Sequence, residues 1–157
     1  MSCKNVAPIQ LPTGINTPCT NLCRFTYNYG NASCVLTNKE FYLDIQCFDG
    51  KNDVKFTGYS DLTVRNVRLY CPPVNFYQGG DIDAELIIKH DMGGVSLYCC
   101  IPIESTRGHN DSTRWFQNFA SQIPSNVNSG QNIANANSFT LNKVIPKAPY
   151  YFLDGSP

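Results

Sequence analysis

The side chains of this chain best suited to metal or nucleophilic chemistry are two imidazoles, His90 and His109, and eight thiols. The thiols are Cys3, Cys19, Cys23, Cys34, Cys47, Cys71, Cys99 and Cys100. An even count suits either a disulfide framework or zinc ligation. Cys19-x-x-x-Cys23 could supply half a zinc site, but no second close pair of Cys or His completes a tetrahedron. The opening Met-Ser-Cys-Lys-Asn-Val-Ala-Pro has no apolar run after its basic residue, so no secretory leader is expected there. A reducing compartment follows, with the thiols mostly reduced and serving as small core residues. Glu104, His109 and Asp111 lie near one another but flank a helix start, where Asp111 and an N-capping Ser112 suit the helix dipole. No G-x-S-x-G elbow, phosphate loop or dinucleotide fingerprint occurs.

The elements that must carry these residues read mostly as strands. After residues 1–22, an extended segment with Pro8, Pro12, Gly14 and Pro18, short β-rich runs end at turn residues. They cover 23–28, 33–37, 41–48, 54–59, 62–71, 84–90 and 95–103. Asp49-Gly50 predicts a hairpin between the third and fourth runs, and Gly93-Gly94 a turn between the last two. One helix is expected, about 112–123, with Trp115, Phe116, Phe119 and Ile123 along one face and Pro124 as its stop. Residues 125–137, rich in Asn, Ser and Gly, read as a surface loop. The fold class is therefore mainly β: a largely antiparallel sheet with one short helix packed on it, forming a single domain over 23–157.

Five segments, in order, resemble α-class carbonic anhydrases and their non-catalytic relatives. Phe25-Thr26-Tyr27, then Asn38-Lys39-Glu40-Phe41 and Val54-Lys55-Phe56-Thr57-Gly58, are similar to the family's strands around its "NNGH" turn. Thr63 to Pro72 sits where the family has "YRLIQFHFHWG", and Ala84-Glu85-Leu86-Ile87-Ile88-Lys89-His90 is similar to "AELHLVH". Gly94 to Pro102 resembles "LAVLGIFL", and Leu141 to Ser156 resembles a "LLP…YYTYxGS" segment.

The resemblance implies a zinc hydroxide that attacks carbon dioxide, the metal lowering the pKa of its water to about 7. That chemistry needs three converging imidazoles, two from H-x-H on one strand because alternate strand residues share a face. The matching positions here are Tyr70, Pro72 and Ile87, and none of these is a zinc ligand. Pro72 also lacks a backbone donor, which ends that strand or places it at an edge. His90 lies three residues past Ile87, so it points to the opposite sheet face and reads as a hydrogen-bonded structural histidine. The family's Glu of "SEHTV" is missing from the shortened connection 78–83, and the sequence stops at Gly155-Ser156-Pro157 where the family continues into "LTTPP". The domain is accordingly expected to be short at its C-terminus, and no enzyme activity or cofactor is expected.

Composition narrows the remaining functions. Charged residues make up 15%, against roughly 25% in an ordinary soluble domain, and the net charge is zero. A chain without a basic stripe is a poor match for nucleic acid, and no run is long enough to span a bilayer. The low charge instead suits a subunit buried in an assembly. Zinc-free relatives occur in large DNA viruses, one of them a poxvirus protein that binds a cell-surface glycosaminoglycan, and 17 Asn residues are compatible with an AT-biased genome. The expectation is a non-enzymatic structural protein, a virion component such as a minor capsid protein, located in the virion or inside the cell. Its partners would be other protein subunits, met through an unpaired sheet edge and through Tyr150, Tyr151, Phe152 and Leu153. The alternatives are a glycan- or receptor-binding module, disfavoured by the zero net charge, and a residual carbonic anhydrase, disfavoured by the missing zinc ligands.

Overall fold

The computed structural model describes residues 10–11, 25–48, 51–56, 59–77, 81–105, 110–123 and 128–145. Its centre is a six-stranded antiparallel sheet in the order β10-β3-β4-β6-β8-β9. The strands are β3 (Ala32–Asn38), β4 (Leu43–Phe48), β6 (Thr63–Tyr70), β8 (Ala84–Met92), β9 (Val95–Ile103) and β10 (Asn132–Phe139). Two small sheets flank it. β2 (Phe25–Tyr29) pairs antiparallel with β5 (Asn52–Phe56), and β1 (Gln10–Leu11) pairs parallel with β7 (Phe76–Tyr77).

Period-two alternation sorts the central sheet into two faces. Leu36, Ile45, Val67, Leu86, Ile88 and Ile101 form the inner face, each at most 5% exposed. Tyr29, Val54 and Phe56 of the β2–β5 ribbon close over this face, and so does Phe119 of the helix α1 (Asp111–Ala120). Within the helix layer Trp115 stacks on Phe119 at 5.2 Å and meets Phe139 edge-on at 5.0 Å. The side chain of Asn142 finishes the ribbon: its Oδ1 accepts from Tyr29 N, and its Nδ2 donates to Tyr29 O.

Four features depart from the sequence reading. Residues 132–139 form an edge strand on β3 rather than a loop, because ladder hydrogen bonds there outweigh the weak β-propensity of Asn. β4 and β5 form no hairpin; β5 leaves the central sheet and pairs with β2. The helix cap is Asn110, whose Oδ1 accepts from Thr113 N at 2.7 Å. Ser112 lies inside the helix and donates to Lys143 O. Finally, Cys34 and Cys47 face each other across β3 and β4, with Cα atoms 4.0 Å apart, and are joined in a disulfide. Their direct cross-strand register creates that pairing, and the thiols of Cys71, Cys99 and Cys100 are free as expected. Cys71 is nevertheless exposed.

The Gly93-Gly94 turn holds, with both residues at positive φ and Met92 opposite Val95. β6 ends at Tyr70, immediately before Cys71 and Pro72.

Candidate functional site

In antiparallel strands, residues directly opposite one another lie on the same face. The register therefore lays a row across the outer face: Asp44 on β4, Arg68 on β6, Ile87 on β8 and Cys100 on β9. Tyr70 stands opposite Glu85 in the next row. Of the three positions singled out in the sequence, Tyr70 and Ile87 share this face, and Pro72 lies beyond the strand. The residue that faces Ile87 is Arg68, which the sequence reading did not place at the site.

Arg68 is held from two sides. Its guanidinium carbon lies 4.6 Å from the centroid of Tyr42, and its Nε is 3.5 Å from Asp44 Oδ1. Tyr42 in turn packs on Tyr70 at 5.3 Å. Burial pulls the Arg68 pKa down, but the Tyr70 hydrogen bond with Tyr42, Tyr70 and Asp44 outweighs it, leaving the guanidinium above its ordinary value. A fixed positive charge thus occupies the middle of the outer face.

Beside it, Glu85 is fully buried. A lone buried carboxylate is costly unless hydrogen bonds replace its water. Here Oε2 accepts from Val74 N and Asn75 N, both at 3.0 Å, and Oε1 accepts from Asn75 Nδ2 and Tyr77 Oη. The segment following β6 is thereby pinned down onto the face. Asn75 Nδ2 also reaches Cys100 Sγ at 3.7 Å. Burial, followed by the charge of Glu85, pushes the Cys100 thiol up to about 12, so it is an inert thiol at neutral pH. Glu85 had one signal in the sequence: a charged residue inside the apolar run Ala84–Ile88, on the parity of Ile87.

His90 lies on the inner face, opposite in direction to Ile87, as its odd offset predicts. Its Nε2 shares a 2.7 Å hydrogen bond with Tyr29 Oη, and Phe25 closes the other side at 6.2 Å. Burial lowers its pKa to about 4; the Leu97 backbone pulls the other way without reaching hydrogen-bond geometry at Nδ1. The imidazole is therefore neutral, and it is screened from the outer face by the sheet. His109 and Tyr150 to Leu153 lie outside the described residues. Among the described residues no three His, Cys, Asp or Glu side chains are grouped to hold a metal ion, and no helix is long and apolar enough to cross a membrane.

No protein-family model matches the sequence, and no curated protein does. Solved structures do match. An α-carbonic anhydrase from Photobacterium profundum superposes with a TM-score of 0.67 at 17% identity, over 94% of this chain and 64% of its own. The carbonic anhydrase Cah3 from Chlamydomonas reinhardtii, in complex with acetazolamide, gives 0.58 at 15% identity over 90% and 59%. Dioscorin complexed with ascorbate gives 0.57 at 15% over 87% and 56%. The fold is carbonic-anhydrase-like. This chain spans about 56 to 64% of the length of those structures.

The zinc that such a fold implies does not fit the residues at the matching positions. Ile87 has no donor atom, and Tyr70 offers a phenol rather than an imidazole. The guanidinium of Arg68, opposite Ile87, would repel a dication.

Proposed function

We propose that this chain is a non-enzymatic structural or interaction protein that uses a zinc-free carbonic-anhydrase-like fold, and that it serves as a virion component such as a minor capsid protein. The observation that carries the non-enzymatic part is the register Asp44–Arg68–Ile87. It puts a cation, held by an acid and a phenol ring, in place of a metal-binding triad. Three features support a role in an assembly. Phe41, Phe76 and Tyr98 are 76%, 65% and 57% exposed, which suits surfaces that become covered. The low proportion of charged residues points the same way. Among the described residues β9, with Tyr98 on it, is the terminal strand of the central sheet. In this reading Tyr150 to Leu153 add to the contact surface, and the protein works in the virion or inside the cell.

A sulfated-glycan module is less well supported. Arg65, Arg68 and Arg114 are each paired with an aspartate, Asp91, Asp44 and Asp111 respectively, so these three arginines offer a sulfate little free cationic charge.

Co-sedimentation of the full chain with particles from its native source, beside light scattering of the purified protein, tests the role. The proposal expects the chain in a particle fraction at fixed stoichiometry and self-association when isolated. A stable monomer that never enters such a fraction contradicts it.

A further inference from the structure

The sequence holds two Asn-x-Ser triplets with a residue other than proline in the middle, Asn31-Ala32-Ser33 and Asn110-Asp111-Ser112. Such a triplet is the acceptor pattern for N-linked glycans, and the fold treats the two differently.

Asn31 stands on the corner between the ribbon and the central sheet, after β2 ends at Tyr29 and before β3 begins at Ala32. The backbone of this corner is pinned. Gly30 N donates to Lys51 O at 3.0 Å, and Thr140 Oγ1 donates to Tyr29 O at 3.0 Å. Ala32 is buried, while Asn31 and Ser33 on either side of it are exposed, in keeping with the alternation of an extended chain. The amide and the hydroxyl of the triplet therefore face solvent together. Among the described residues the Asn31 side chain has no hydrogen-bond partner, so a sugar on its Nδ2 displaces nothing.

The other triplet is committed to the helix. Asn110 Oδ1 accepts from Thr113 N at 2.7 Å and from Thr113 Oγ1 at 3.0 Å, and Ser112 Oγ donates to Lys143 O at 2.8 Å.

Ser33 is followed by Cys34, which is bridged to Cys47. Disulfides form and persist mainly in oxidising compartments, which argues against the reducing one expected from the opening residues. The oxidising lumen of the secretory route is also where asparagine side chains receive glycans. An exposed, unengaged acceptor and a disulfide beside it thus call for the same surroundings.

We propose that Asn31 is an N-glycosylation site, modified by a lipid-pyrophosphate-linked oligosaccharide. Nδ2 bonds to the anomeric carbon of the sugar and gives up one proton, while the bond from that carbon to the pyrophosphate oxygen breaks and the lipid pyrophosphate leaves. No electrons change hands, so no oxidant is needed. The site goes beyond the assembly role, and neither falls with the other. β3 lies four places from β9 in the order β3-β4-β6-β8-β9, about 19 Å at roughly 4.8 Å per step, so a glycan at Asn31 leaves Tyr98 clear.

The test uses protein purified from its native source, digested and mapped by mass spectrometry before and after treatment with a peptide N-glycosidase. In most chains the peptide spanning Asn31 should carry hexose and N-acetylhexosamine masses, lose them on treatment, and keep an aspartyl residue at that position. Ser33→Ala, at an exposed position, should abolish the modification in the same cells, and Ser33→Thr should retain it. A bare Asn31 in most native chains overturns the proposal. So does a glycan that persists in Ser33→Ala.

Discussion

The burial of His90 makes stability depend on pH in a defined window. The imidazole is neutral in the folded protein, with a pKa of about 4 against 6.5 for the free group. Above pH 6.5 both folded and unfolded chains carry it uncharged, and its contribution is fully present. As pH falls below 6.5 the unfolded chain takes up a proton that the folded chain refuses, and stability drops by about 1.4 kcal/mol per pH unit. Near pH 4 the folded state binds the proton too, and the loss levels off. The span of about 2.5 units corresponds to roughly 3 kcal/mol, a large part of the 5–15 kcal/mol margin of a typical domain. Solvent screening takes little from this figure, because the side chain is fully buried. Urea unfolding followed by circular dichroism, from pH 8 to 3.5, should be run on the parent and on His90→Gln. Groups common to both proteins cancel in the difference. The stability gap between the two should shrink by about 3 kcal/mol between pH 7 and 4. A gap constant to within about 0.5 kcal/mol would refute a buried neutral imidazole.

Three further outcomes follow from the packing. Reducing the Cys34–Cys47 bridge, which closes a loop of sequence separation 13, should lower unfolding free energy by about 3 kcal/mol, and peptide mapping should find Cys34 and Cys47 alkylated only after reduction. Glu85→Ala deprives Val74 N, Asn75 N, Asn75 Nδ2 and Tyr77 Oη of their acceptor; it should cost about 3 kcal/mol or more and speed hydrogen exchange at residues 74 and 75 while β3 and β4 keep their protection. Gly30→Ala places a Cβ 2.7 Å from Lys51 O, a backbone atom that cannot swing aside, and should lower the melting temperature through about 1–3 kcal/mol of strain.

Much of this arrangement was readable from residue order. The β-rich runs 62–71, 84–90 and 95–103, each closed by turn residues, located three central strands, and the helical spacing of Trp115, Phe116, Phe119 and Ile123 located the helix. The odd offset from Ile87 was enough to turn His90 away from the outer face. Other features depended on partners far along the chain. Asn132 to Phe139 becomes a strand only because β3 offers it an edge, and β5 leaves the sheet because β2, some 25 residues earlier, takes it up. The disulfide arises from the register Cys34 to Cys47, which neither local sequence encodes. Arg68 is the clearest case at the site. Alignment by motif put Tyr70 at the ligand position, while the ladder puts Arg68 opposite Ile87. Strand register is set by the whole sheet, and a shift of two residues leaves every side chain on its face while changing which ones meet.

Carbon dioxide hydration by stopped flow, measured on protein incubated with equimolar zinc and then dialysed, bears most directly on the claim that the outer face is not a catalytic metal site. The account predicts hydration no faster than buffer and no zinc retained at one per chain, with Arg68→His alone giving no gain. Hydration above the buffer rate that disappears on chelation, together with one retained zinc per chain, would contradict it.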